Sequence, residues 1–159
     1  MEQGTLLVDE QFLPAAVKLI GSAQRSISIS TFKAEITTRP RGRKLYNLFD
    51  VLFDRARAGV DVRFLINRVT RKGSVPISNL YAINTIPKHG IAVRTLPHDR
   101  CCHAKLIIVD SSAAILGSHN LSVKSCHNNF EVSYMHRDGY MVHIIQRVFD
   151  TVWSAGFVV

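Results

Sequence analysis

The apolar and polar positions of the chain follow two periods, one typical of strands and one typical of helices. Short alternating or continuous apolar runs predict strands at "SISISTF", "VDVRFLI", "IAVRTL" and "FEVSYMH". Apolar residues at helical spacing predict four helices before, between and after these strands: one capped by Asp9, one ending at Gly59, one closing near Pro87 and Gly90, and one starting at about Met141. This order predicts an α/β fold in which a mixed β-sheet is sandwiched between helices.

The length and the cysteine count narrow the class of protein. The chain has 159 residues, 47% of them hydrophobic, so we expect residues 1–159 to form a single domain around one sizeable core. No apolar stretch is long enough for a transmembrane segment, and the first residues do not resemble a signal peptide. The three cysteines are an odd number and suit a reducing compartment. A cytoplasmic protein is therefore expected.

Positive charge exceeds negative charge along the chain. The chain has 20 Lys and Arg residues and 12 Asp and Glu residues, which gives a net charge of +8. This charge favours polyanionic partners such as nucleic acid or anionic lipid head groups. Basic residues follow the ends of predicted strands, where an α/β sheet forms its ligand crevice. They are found in the loop 33–43 and at Arg68, Arg71 and Lys72.

Three residues at this predicted sheet edge are candidates for binding substrate. Phe32 and Lys33 leave the first clear strand there, and Arg68 follows the next one. The basic residues would track a nucleic-acid backbone, and Phe32 would stack on a base. The alternatives are a solvated basic surface and, for Phe32, a place in the core.

The stretch "CHAKLIIVDSSAAILGSHN" carries polar residues at both ends of an apolar hairpin. A two-residue turn at positions 111–112 would pair Lys105 with Ser118 and His103 with Asn120. Because side chains alternate between faces with period two, all four side chains would then share one face. An imidazole, an ammonium, an amide and a hydroxyl together suit attack on a phosphodiester and binding of its non-bridging oxygens. The pairing therefore predicts a phosphate site.

The hairpin and the residues after it follow one ordered pattern, which is His103-x-Lys105-x4-Asp110, then Gly117-Ser118-x-Asn120, then Glu131. This pattern resembles the HKD motif of the phospholipase D superfamily, and it is most similar to the small bacterial endonucleases that carry one motif per chain. The resemblance implies a phospholipase D-like fold and a metal-independent phosphodiesterase that uses no cofactor.

The resemblance also implies a role for each matching residue. His103 would be the nucleophile and form a phosphohistidine intermediate. Lys105 and Asn120 would bind the phosphate, and Ser118 would support that site. Glu131 would accept a hydrogen bond from the His103 ring, orienting the ring and stabilising its charged form.

Asp110 belongs to the motif, but its spacing from His103 places it far from the predicted phosphate site. It lies seven residues along the strand from His103, which is roughly 23 Å at about 3.3 Å per residue. We therefore expect Asp110 to be a structural residue that caps the turn.

One motif per chain has a consequence for assembly. A two-step displacement needs a second group that protonates the leaving oxygen and then activates water. The resemblance implies that single-motif members build the site across a homodimer, so that His103 of the partner subunit supplies this group. We expect an obligate homodimer.

Alternatives remain for the metal content and for the function. The cluster "HDRCCH", with Cys126 and His127, would be a zinc site in the alternative interpretation, but its spacing fits no common zinc pattern and no metal is expected. The leading function is cleavage of nucleic acid, DNA or RNA. The alternatives are a phospholipase D or phosphatidyltransferase acting on phospholipid, and a nucleic-acid-binding module that keeps the fold without turnover.

Overall fold

The structure is a computed structural model that describes residues 4–68, 77–97 and 100–159. Its eight strands are β1 (Gly4–Val8), β2 (Ser26–Thr31), β3 (Asp61–Ile66), β4 (Ala92–Thr95), β5 (Lys105–Val109), β6 (Ala113–Gly117), β7 (Val132–His136) and β8 (Phe157–Val158). Its α-helices are α1 (Phe12–Gly21), α2 (Arg43–Arg57), α3 (Ile77–Thr85), α4 (Val123–His127) and α5 (Gly139–Ser154). The strands form one sheet in the order β1-β7-β6-β5-β2-β3-β4-β8.

The strand directions bring several strand ends to one edge of the sheet. Strands β2, β3 and β4 are parallel, whereas β5 runs antiparallel to β2, with Ser30 paired to Leu106. The start of β5 therefore lies beside the end of β2. Strand β6 is antiparallel to β5 and β7 is antiparallel to β6, so the end of β6 and the start of β7 lie at the same edge.

The core fills both faces of the sheet because the strand side chains alternate. On β2, Ile27 and Ile29 point into the layer formed with α1 and α2, whereas Ser28 faces α5 and accepts a hydrogen bond from Gln146 at 3.4 Å. The buried stripe of α2 comprises Leu45, Leu48, Phe49, Leu52 and Phe53, and that of α5 comprises Val142, Ile145, Phe149 and Trp153. The predicted mixed sheet between helices is confirmed.

The hairpin formed by β5 and β6 differs from its predicted register by one residue. Lys105 pairs with Gly117 and not with Ser118. Three residues form the turn, because Asp110 and Ser111 both adopt left-handed backbone conformations with φ of 52° and 53°. Gly117 is required at its position, since a Cβ there would lie 2.4 Å from the Cα of Ser133.

Asp9 does not cap a helix as predicted. It lies in a short 3₁₀ turn with φ of 48°. Helix α1 begins after Gln11, whose side chain accepts from the backbone N–H of Val8 and does not cap α1. The Asp9 carboxylate instead accepts a hydrogen bond from the backbone N–H of Glu131 at 2.8 Å. A long-range contact therefore takes the place of the local cap.

None of the helices in the described ranges is long and apolar enough to cross a membrane.

Candidate active site

His103 and Lys105 lie together where β5 begins. The His103 side chain is exposed, whereas Lys105 is only 9% exposed. The Lys105 Nζ lies 3.0 Å from Nδ1 of the His103 ring and donates to the His103 carbonyl at 2.6 Å. Burial lowers the pKa of Lys105, and the charge of the Glu131 carboxylate opposes this shift. A ring nitrogen of an imidazole is a nucleophile that proteins use to form covalent intermediates.

Asn120 lies in the segment after β6, at the same edge of the sheet. Its Oδ1 accepts hydrogen bonds from the backbone N–H of Lys33 at 3.1 Å and from the Thr31 hydroxyl at 3.4 Å. None of the residues that the structure describes accepts a hydrogen bond from its Nδ2. Its amide N–H groups are therefore available to an anionic oxygen.

Glu131 lies just before β7 and is held by three side chains. Ser118 donates to one carboxylate oxygen, and Ser125 and Asn129 donate to the other at 2.8 Å and 2.9 Å. Burial of Glu131 acts to raise its pKa, but these hydrogen bonds hold the pKa below its ordinary value. The carboxylate is therefore ionised at neutral pH.

The expected hydrogen bond from the His103 ring to Glu131 is not formed among the described residues. The three local donors engage both carboxylate oxygens, and the His103 ring is next to Lys105 instead. The role of Glu131 in orienting the His103 ring therefore stays a prediction. Glu131 still acts on the site, through its charge on Lys105.

Two polar residues near the site were missed by the sequence reasoning. The Ser125 hydroxyl accepts from the backbone N–H of Asn120 at 2.8 Å and donates to Glu131, so it joins these two residues. His119 is buried, stacks on Phe12 and contacts the Ser133 hydroxyl at 2.7 Å. Burial lowers the pKa of His119. The sequence signal that could have pointed to Ser125 is the capping serine of α4, because the Ser122 side chain accepts from the Ser125 N–H. His119 has no comparable signal.

The candidate substrate-binding residues have different surroundings. Phe32 is half-buried, and its ring centroid lies 5.2 Å from that of His103, so it borders the site and not the core. Lys33 forms an ion pair with Glu35 at 3.0 Å. Arg68 is half-buried two residues after β3 ends. Arg71 and Lys72 lie outside the described residues.

Asp110 lies at the far end of the hairpin from His103. Its carboxylate accepts hydrogen bonds from the backbone N–H groups of Gln24, Arg25 and Ser26 at 2.8 to 2.9 Å. Burial acts to raise its pKa, but these three donors hold the pKa below its ordinary value. Asp110 thus ties the turn to the start of β2, as its spacing predicts.

The zinc interpretation of the cysteine and histidine cluster finds no support among the described residues, where no three His, Cys, Asp or Glu side chains lie close enough to hold a metal ion. His98 and Asp99 of that cluster lie outside the described ranges. Cys102 and Cys126 are buried thiols, and burial raises the pKa of Cys126 to about 12.

The family of the chain follows from comparison with known proteins. A family model described as "Cardiolipin synthase, PLD-like domain" matches residues 16–153. The chain belongs to the phospholipase D superfamily. The major cardiolipin synthase ClsA of Bacillus subtilis is 32% identical to this PLD-like domain over 124 residues, which are 78% of the chain and 24% of ClsA. The chain thus spans about a quarter of the length of that relative.

Solved structures of low sequence identity share the fold. The phospholipase D family member Nuc from Salmonella typhimurium superimposes with a TM-score of 0.79 at 21% identity, over 98% of each chain. NucT from Helicobacter pylori superimposes with a TM-score of 0.74 at 16% identity, also over 98% of each chain. The PLD-like domain therefore has the phosphodiesterase fold of this superfamily.

Proposed function

We propose that this PLD-like domain is a metal-independent phosphodiesterase that hydrolyses nucleic acid, with DNA as the first substrate to test. The observation that carries the proposal is the group at the start of β5. An exposed imidazole, His103, lies beside a nearly buried ammonium, Lys105, and Asn120 lies at the same edge of the sheet, bonded to the N–H of Lys33. These groups offer a nucleophile and two donors for the charge that develops on a phosphate.

The proposed reaction has two steps. In the first, a ring nitrogen of His103 attacks phosphorus, a P–N bond forms, and the P–O bond to the leaving group breaks. His103 of the partner subunit gives its proton to the leaving oxygen. In the second, the partner's His103 takes a proton from water, the hydroxide attacks phosphorus, and the P–N bond breaks. Lys105 and Asn120 hold the non-bridging oxygens in both steps.

An exposed apolar surface beside the site supports the homodimer. Leu6, Tyr134 and Leu116 form a row across β1, β7 and β6, in register with one another, and they are 56%, 37% and 40% exposed. We call these three residues the apolar row. Leu116 lies on β6 two residues before Ser118, which follows that strand. Helix α5, which packs on β6, adds exposed Met141, Ile144 and Val148. Contiguous exposed apolar surface is typical of protein interfaces.

The choice of nucleic acid rests on charge and on the resemblance to single-motif endonucleases. A net charge of +8 favours a polyanion. A second candidate, a phospholipid hydrolase or phosphatidyltransferase, is favoured by the family description and by the identity to ClsA. Both candidates use the same phosphohistidine chemistry, so the substrate must be determined by assay.

The deciding experiment is cleavage of plasmid and single-stranded DNA in excess EDTA. Wild type is compared with His103→Ala and with His143→Ala, whose imidazole is exposed on α5 away from the site. We expect cleavage by wild type and by His143→Ala, and none by His103→Ala. Vesicles of phosphatidylglycerol are assayed with the same three proteins. Turnover of lipid without cleavage of DNA or RNA would establish the second candidate, and DNA binding without any turnover would establish a binding module.

A mixing experiment tests the shared site. When wild type and His103→Ala exchange subunits, a site that needs two His103 residues is complete only in wild-type pairs. Activity should then fall as the square of the wild-type fraction. A linear fall would show that each chain acts alone. The variant Leu116→Asp, in the apolar row, should give a monomer in light scattering with the activity lost.

A further inference from the structure

Asn79 is a fully buried amide in a helix whose larger side chains are partly exposed. It lies in the first turn of α3, where Ile77, Leu80 and Tyr81 are exposed, whereas its own exposure is 0%. A buried amide is costly unless it is hydrogen-bonded. With the described part of the chain, the Asn79 side chain makes three hydrogen bonds, all of them to the backbone of other segments.

These bonds join the segments that follow β2 and β3. The Asn79 Oδ1 accepts from the N–H of Ala34 at 3.0 Å, and its Nδ2 donates to the carbonyl of Phe32 at 2.8 Å. The same Nδ2 donates to the carbonyl of Asn67 at 3.2 Å. One side chain therefore fixes the distance between two strand ends at the edge where the candidate site lies.

Each of the two segments leads directly to a site residue. The Asn67 side chain accepts from the N–H of Cys102 at 3.0 Å, next to His103. Between Phe32 and Ala34, the N–H of Lys33 donates to Asn120. The Phe32 ring also lies against the His103 ring. Asn79 thus connects to His103 and to Asn120 by separate short routes.

We propose that Asn79 is a positioning residue that sets the placement of His103 relative to Asn120. It touches none of the groups assigned to the reaction, and the proposal rests on the proposed phosphodiesterase function. A displacement of about 1 Å in reacting groups lowers a rate by about 100-fold. Loss of the Asn79 bonds should therefore act on turnover more than on substrate binding.

The test compares Asn79→Ala with Asn84→Ala, a matched change on the same helix. Asn84 is exposed, and among the residues that the structure describes its side chain bonds only to the carbonyl of Leu80. With a small phosphodiester such as bis(p-nitrophenyl) phosphate, we expect Asn79→Ala to lower kcat by about 10- to 100-fold with KM changed by less than about threefold. Asn84→Ala should leave both constants unchanged. A kcat of Asn79→Ala within twofold of wild type, or a rise in KM alone, would overturn the proposal.

A second measurement does not depend on activity. In protein labelled at histidine, the ring resonance of His103 should shift in Asn79→Ala while that of His143 stays in place. An unshifted His103 resonance in the folded variant would contradict the positioning role even if no substrate is found for wild type. If wild type itself is inactive on every phosphodiester, the proposed function fails and this measurement still decides the role of Asn79.

A second variant covers the case in which Asn79→Ala does not fold. Asn67→Ala removes the acceptor of the Cys102 N–H and leaves the bonds of Asn79 itself intact. Its kcat should fall, and its His103 resonance should move in the same direction. An unchanged kcat and an unchanged resonance in folded Asn67→Ala would refute the route from Asn79 to His103.

Discussion

Replacing Asp110 tests whether the aspartate of the HKD motif stabilises the fold without taking part in catalysis. Its carboxylate accepts three backbone N–H groups at the start of β2, at the end of the hairpin opposite to His103. Asp110→Asn keeps one acceptor oxygen and the tolerance for a left-handed backbone that φ of 52° requires. Asp110→Ala removes all three acceptor contacts and that tolerance.

The magnitudes follow from the hydrogen bonds. A bond to a charged group contributes about 1.5–3 kcal/mol when it is buried, and Asp110 is only partly buried, so water replaces part of each bond. We therefore expect a loss of about 1–2 kcal/mol in the free energy of unfolding for Asp110→Asn. Asp110→Ala should lose about 2–3 kcal/mol, because alanine in a left-handed conformation adds about 1 kcal/mol.

Acid should reduce the difference between wild type and Asp110→Asn. The pKa of Asp110 is lowered in the folded protein, whereas that of an unfolded aspartate is about 3.9. The stabilisation is therefore present above pH 4 or so and is lost as the pH falls through the folded-state pKa. The two proteins should converge in stability at the acid end.

Urea unfolding followed by circular dichroism measures these differences, and phosphodiester turnover is measured well below the unfolding midpoint. Asp54→Asn is the control, because within the described ranges the Asp54 side chain forms only an exposed ion pair with Arg57 on α2, and such pairs contribute about 0–1 kcal/mol. We expect kcat/KM of Asp110→Asn to stay within about twofold of wild type. A loss of turnover with an unchanged midpoint would refute the structural role.

Three further changes give direct outcomes. Ser111→Gly should raise the free energy of unfolding by about 0.5–1 kcal/mol, since Ser111 has φ of 53°; a lower melting temperature would contradict this. Lys105→Met should lower kcat by about 10²- to 10³-fold, and full activity would remove Lys105 from the phosphate site. Glu131→Gln should destabilise the protein at neutral pH, and the difference from wild type should shrink as the pH falls through the lowered pKa of Glu131. A difference in unfolding free energy that is constant with pH would count against an ionised Glu131.

Local periodicity was enough to predict the layers of the fold. The buried stripes of α2 and α5 and the alternation of β2 are set by neighbouring residues along the chain, so the sequence alone places them. Contacts between segments that are distant along the chain were harder to predict from the sequence. The short helix α4 and the two-residue strand β8 are held by contacts with other elements and carry no periodic signal long enough to predict them.

The candidate site shows the same difference between local spacing, which could be predicted, and contacts between distant segments, which could not. The motif spacing predicted that His103 and Lys105 would lie together and that Asp110 would lie far from them. It did not predict Asn79, which reaches the site from α3 through backbone contacts. A buried polar residue that bonds to distant backbone groups leaves no pattern in its own segment, and only the folded chain identifies it.

The register of the hairpin differs from the predicted one, yet its polar residues still lie at one edge of the sheet, and the reason is geometric. A shift of one residue normally moves every side chain to the other face of a sheet. His103 precedes β5, Ser118 and Asn120 follow β6, and Glu131 precedes β7, so these four residues lie outside the regular strands. At Ser118 the chain leaves the ladder, and its hydroxyl accepts the N–H of Val132 at 3.1 Å beside Glu131. The site therefore depends on strand ends that meet at one sheet edge, and Gly117 and the Asp110 turn fix how far each strand runs before that edge.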